Sequence, residues 1–207
     1  MTKHAECPDD KRWLRPNSSS FVIPSSFVIR HSSFAAFAPR RIFSSLTIQF
    51  TKRTDGAAVL KCIRDDGSVT WQRVDDKQAA FFPLHDLTHY AVETELRYRQ
   101  GFFGLIAEGW DIDETTGKSG RGRLPDEALE VEHFVSSFTA EWNSHANWSA
   151  ADFNEQAAAF AKMKRLPEPR SLSEQELKEV RARFGELAAR WRDLPEGETL
   201  RLEFPLL

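Results

Sequence analysis

Cysteine is nearly absent from this chain: Cys7 and Cys62 are the only two among 207 residues. Two thiols this far apart do not make a disulfide framework. That excludes the small secreted scaffold class and makes the cytoplasmic compartment the expected one. Long apolar runs are missing as well. None approaches the roughly 18 residues needed to cross a bilayer, so no membrane span is expected. Neither sign of charge dominates, with 28 Lys and Arg against 31 Asp and Glu and a pI near 6.1. This balance gives nucleic acid no electrostatic footing as a partner. What remains is a globular composition, 41% hydrophobic and 29% charged, with Phe 16 times and Trp six times to fill a core.

Residues 1–41 differ from the rest. Ser19-Ser20-Phe21-Val22-Ile23, Ser25-Ser26-Phe27-Val28-Ile29 and Ser32-Ser33-Phe34 form a short repeat, far below the period of a solenoid unit. Pro, clustered Ser and isolated apolar triplets offer little to pack, so this stretch is expected to be a disordered leader. Its Arg- and Ser-rich, acid-poor composition also fits a transit peptide, the competing reading. The remaining residues, 42–207, are expected to form a single α+β domain.

Leu46, Ile48 and Phe50 alternate with polar residues, the period of a half-buried strand. Asp55-Gly56 and Asp65-Asp66-Gly67 mark turns on either side of a second strand over 57–64, and Val69 and Trp71 lie in a third. Leu200, Leu202 and Phe204 alternate at the far end. The fold expected is an antiparallel sheet of about four strands, a meander plus the C-terminal strand, packed against four to five helices. The first helix starts near Pro83 and runs to about Gln100, with Gly101 as a left-handed stop. A short helix follows over 102–108, then one over 125–143 with an apolar stripe of Ala128, Val131, Val135, Phe138 and Trp142. Ser149 with Asp152 and Ser173 with Glu176 are capping boxes opening two more.

The chemistry is concentrated in Pro83-Leu84-His85-Asp86-Leu87-Thr88-His89-Tyr90-Ala91-Val92-Glu93. On a helix, His85, His89 and Glu93 form one column, with neighbouring Cβ atoms about 5–6 Å apart. Two imidazoles and a carboxylate are donors for a divalent transition metal, zinc or iron. Glu93 is the local third ligand, and Glu108, beyond the Gly101 turn, is a further one. Asp86 suits the positive end of the helix or the orientation of an imidazole. Glu95 projects into the apolar arc, where a carboxylate must be paired, ligated or protonated. With Asp86 it is therefore the acid/base candidate. The H-E-x-x-H protease pattern is not met, because Asp86 stands where its Glu would be. His133 falls opposite its stripe and is expected to be exposed. Cys62 is expected to be a core residue. Residues 111–123 match neither a phosphate loop nor a calcium loop and are expected to be a surface loop.

The segment from Pro83 to Glu93, with Gly101-Phe102-Phe103-Gly104-Leu105-Ile106-Ala107-Glu108-Gly109, resembles an uncharacterised family of small bacterial proteins. That family carries PHDLxHFxVE-like and GxFGxxAxG-like segments, and the likeness implies no activity. His85, Asp86 and His89 also resemble the H-D-x-x-H metal motif of a ubiquinone-biosynthesis family. Its further Glu falls at Gly101 here, so that family's triad is not reproduced. Two functions stay open. One is a metal-dependent or acid/base enzyme with a small-molecule ligand; the other is a non-catalytic interaction or scaffold protein whose histidines only pack. Oligomeric state is not legible.

Overall fold

The computed structural model describes residues 45–117 and 121–205. The leader reading of residues 1–41 lies outside them. Strands β1 (Leu46–Lys52), β2 (Ala58–Arg64) and β3 (Val69–Val74) form the meander, and β4 (Thr199–Phe204) closes the chain. The sheet is antiparallel in the order β3-β2-β1-β4. Its register follows the alternation. Ile48 stands opposite Cys62 on one side and Leu202 on the other, and Phe50 opposite Leu60 and Leu200. A one-residue slip would turn every one of these side chains to solvent, so the pattern pins the pairing.

Six α-helices occur among the described residues: α1 (Asp76–Ala79), α2 (Phe82–Glu95), α3 (Phe102–Ala107), α4 (Asp126–Asn143), α5 (Ala150–Lys164) and α6 (Glu174–Asp193). Leu87 and Tyr90 of α2, Phe103 and Ile106 of α3, and Leu187 and Trp191 of α6 pack on the inner face of the sheet. A second core joins Ala91 and Val92 of α2 to Val131, Phe134 and Phe138 of α4, Phe153 of α5, and Val180 and Phe184 of α6. Full burial of each such Phe contributes about 1.5–3 kcal/mol. Helix α2 thus stands between two cores. The Tyr90 hydroxyl also ties it to the sheet by donating to the Glu203 carbonyl at 2.7 Å.

The caps explain the helix starts. Ser149 and Ser173 each accept from the backbone N–H three residues on, and Asp152 and Glu176 reach back to complete both boxes. The end of α2 departs from expectation. It stops at Glu95 rather than near Gln100, and Arg97, not Gly101, takes the left-handed conformation at φ 60°. Tyr98 N–H then bonds the Glu93 carbonyl at 2.9 Å, closing the helix with a six-to-one bond. Trp142 also departs: it is exposed at 44% and meets Phe184 edge to face instead of completing the α4 stripe. The loop after α3 is partly anchored, since Ile112 is buried and its N–H donates to the Thr70 hydroxyl at 3.0 Å.

Candidate metal centre

Helix α2 opens with Pro83 in its first turn, where a missing N–H costs nothing. Its sequence leaves one stripe, His85, His89 and Glu93, between the two apolar faces that serve the two cores. The rings of His85 and His89 stand 4.9 Å apart, centroid to centroid. His89 is 2% exposed, and His85 is partly exposed. Phe81 and Phe82 lie 5.6 and 6.5 Å from the His85 ring, and Phe102 lies 5.3 Å from the His89 ring.

Each imidazole has a carboxylate at Nδ1. Asp86 Oδ1 is 3.4 Å from His85 Nδ1, while Asp86 Oδ2 accepts from Gln72 Nε2 of β3 at 3.2 Å. Glu93 Oε1 is 3.5 Å from His89 Nδ1. That separation is at the limit for a hydrogen bond, and Nδ1 makes no formed bond. Across the ring, His89 Nε2 lies 3.4 Å from Glu132 Oε1 of α4. His85, His89 and Glu132 each bring one donor atom into a group whose atoms lie within 4.8 Å of one another.

Electrostatics at the group are set by burial against acid. Burial alone disfavours the charged His89 ring, but Glu132 and then Glu93 and Asp86 outweigh it, and the His89 pKa is raised. Burial pushes the Glu93 carboxyl up, opposed by His89 and by the N–H groups of Gly104 and Phe103. A cluster of carboxylates around two imidazoles therefore favours a positive charge at its centre, and a divalent cation meets that demand. The donor set fits as well. With metal–ligand bonds near 2.0–2.2 Å, ligand atoms sit about 3.0–3.5 Å apart in tetrahedral or octahedral geometry. The His89–Glu132 separation already has that length.

The other residues singled out in the sequence fall elsewhere. Glu93 sits at the base of the group, with both oxygens accepting backbone N–H from α3. Asp86 is buried behind His85. Glu95 is the last residue of α2, where solvent reaches it, and lies 3.9 Å from Arg183 of α6 rather than in the apolar arc. Glu108 closes α3 and accepts from Gln100 Nε2 at 3.2 Å. Cys62 is fully buried in the core, as expected, and burial pushes its thiol up, so it stays protonated.

One residue, Glu132, escaped the sequence reading, and the expectation for His133 is overturned. Glu132 follows Val131 at the border of the α4 stripe, a position that only the docking of α4 on α2 turns toward the histidines. His133 is buried at 1% exposure rather than exposed, and neither ring nitrogen has a partner. Helix α4 packs against both α2 and α5, so its buried surface is wider than a single stripe. Burial and Lys164 of α5 both hold the His133 pKa down.

No helix among the described residues is long and apolar enough to cross a membrane. Comparison with family models, with curated proteins and with solved structures gives no match to this chain.

Proposed function

We propose that the protein binds one divalent transition metal, zinc or ferrous iron, through His85, His89 and Glu132, and that this centre acts on a small molecule. The reading is carried by one observation: three donor atoms of the right types, from two helices, lie within 4.8 Å of one another. Two nitrogens and one carboxylate oxygen are the three-ligand set of catalytic zinc and of non-haem iron centres, which keep coordination positions open. A bound ion there would polarise an oxygen ligand or acidify a bound water. The partial exposure of His85 and Glu132 supports access from solvent, and the rings of Phe81, Phe82 and Phe102 give the histidines an apolar surround. Asp86 and Glu93 act here on the histidines rather than on a substrate.

The test is metal titration of the purified full chain with zinc and with ferrous iron under anaerobic conditions. One equivalent per chain is expected for the native protein, and none for a His85→Ala, His89→Ala double variant that keeps its circular dichroism spectrum. Equal, weak uptake by both proteins would remove the metal and leave histidines that only pack.

A further inference from the structure

Resting on that metal reading, we infer the class of molecule the centre takes: an uncharged ligand with an aromatic or similarly apolar body and a neutral oxygen donor, such as an amide, rather than a carboxylate or a phosphate. The distribution of charge is the first ground. Asp86 lies 3.4 Å from His85, while Glu93 and Glu132 lie 3.5 and 3.4 Å from His89. Among the described residues, the ion pairs of these three acids are with histidine, and neither Lys nor Arg joins them. Three carboxylates offset the charge of a divalent ion. An anionic ligand would meet like charge around the ion and find no basic side chain to hold it.

The two helix starts beside the group add no cradle for an anion. First-turn N–H groups bind anions where they are free. In α3 those of Phe103 and Gly104 already donate to the two oxygens of Glu93, at 3.2 and 3.0 Å. Gly101 keeps that carboxylate seated, since a Cβ there would lie 2.4 Å from Cδ of Glu93 and 2.7 Å from Oε2. In α2, Pro83 brings no N–H to the first turn. What these helix starts do supply is aromatic surface. Phe81 and Phe82 stand 5.6 and 6.5 Å from the His85 ring, and Phe102 stands 5.3 Å from the His89 ring. All three are partly exposed, whereas the adjoining Phe103 is 0% exposed. Phe82 and Phe102 spend part of their surface on the first core. An apolar body covering the rest would gain burial and edge-to-face contact. Small-molecule sites commonly combine such a surface with a few polar groups that fix orientation, a task the ion would perform here.

Three probes at neutral pH separate charge from body. Benzamide is neutral and aromatic, acetamide has the same donor without the ring, and benzoate has the same ring with an anionic donor. Each is titrated into the Co2+-loaded full chain and followed by the visible absorption of the ion. Benzamide should bind more tightly than either of the others by about 10-fold. In Phe81→Ala and Phe102→Ala chains that still take up one equivalent of Co2+, the preference for benzamide over acetamide should shrink several-fold. Benzoate binding as tightly as benzamide overturns the inference on the native protein alone, whether or not either variant folds. Equal affinity for benzamide and acetamide does so too, as does a preference unchanged in both variants or no response to benzamide up to its solubility. If the native chain takes up no Co2+, the metal reading fails separately. Saturation-transfer spectra of the metal-free chain then decide the aromatic seat: transfer to benzamide and not to benzoate supports it, and equal transfer or none overturns it.

Discussion

Nε2 of His89 and Oε1 of Glu132 stand 3.4 Å apart, linking α2 to α4 across the edge of the second core. The two ends of this contact differ in solvation. His89 is buried, whereas the Glu132 side chain is 42% exposed. A half-hydrated carboxylate gains little from an imidazole alone, since exposed pairs contribute at most about 1 kcal/mol. Its place beside a second imidazole makes more sense as a ligand than as a strut.

Glu132→Ala separates those two roles. Without metal the variant should melt near the native temperature, because the lost pair contributes less than about 1 kcal/mol. With zinc at 100 times the native dissociation constant, the native protein should gain about 2.7 kcal/mol of stability, and the variant almost none. Thermal melts with and without zinc read both effects. A variant stabilised by zinc as strongly as the native chain would remove Glu132 from the ligand set.

The strands were legible because a half-buried sheet writes its period directly: Leu46, Ile48 and Phe50 face in, and so do Leu200, Leu202 and Phe204. Both capping boxes were legible because Ser149 with Asp152 and Ser173 with Glu176 are local chemistry. The histidine pair was legible for the same reason, being one turn apart on one helix. Glu132 was not, since its role depends on how α4 docks, and nothing within α4 distinguishes it from Glu130. Arg97 was missed as the left-handed cap because a residue with a Cβ there is costly, so Gly101 drew the assignment. The reason for Gly101 is a contact with a residue on the preceding helix, which no local pattern records.

Glu141, buried, and Arg181, half-buried, hold α4 to α6 through a two-pronged pair. Arg181 Nη2 and Nε donate to Oε1 and Oε2 of Glu141 at 2.6 and 3.1 Å, and the Trp148 N–H donates to Oε1 at 2.7 Å. Removing the acid leaves the guanidinium with the Trp148 carbonyl, at 2.7 Å, as its remaining acceptor and leaves the Trp148 N–H without one, in a half-buried place. Glu141→Ala should cost about 1–3 kcal/mol in urea denaturation. A loss under 1 kcal/mol would mean that water replaces the carboxylate and that the pair is an ornament of the surface.

His133 behaves in the opposite sense. Its ring is buried with two unpartnered nitrogens, so it bears a desolvation penalty with no hydrogen bond in return. His133→Leu, similar in bulk and fully apolar, should leave stability unchanged or raise it by about 1 kcal/mol. Zinc affinity should stay native, since the ring is not part of the donor group. Marked destabilisation in the urea midpoint would reveal a partner for that ring.

The cap of α6 carries a pH dependence whose sign follows from Glu176. The Ser173 N–H, more than any other group, lowers its carboxyl below the ordinary 4.5. Burial opposes this, and the Ser173 hydroxyl and Arg170 add to the lowering. A folded-state pKa below the unfolded one means that the cap contributes fully above about pH 4.5. The contribution fades as pH falls through the lower folded value. Glu176→Gln should therefore flatten the acid limb of the stability profile and leave its alkaline limb alone. Ser173→Ala should cost about 1 kcal/mol near neutral pH, the usual loss of an N-cap oxygen. Urea midpoints of the metal-free native chain and both variants, measured between pH 3 and 8, check the two effects together. An acid limb as steep in Glu176→Gln as in the native protein would assign the loss to other carboxylates.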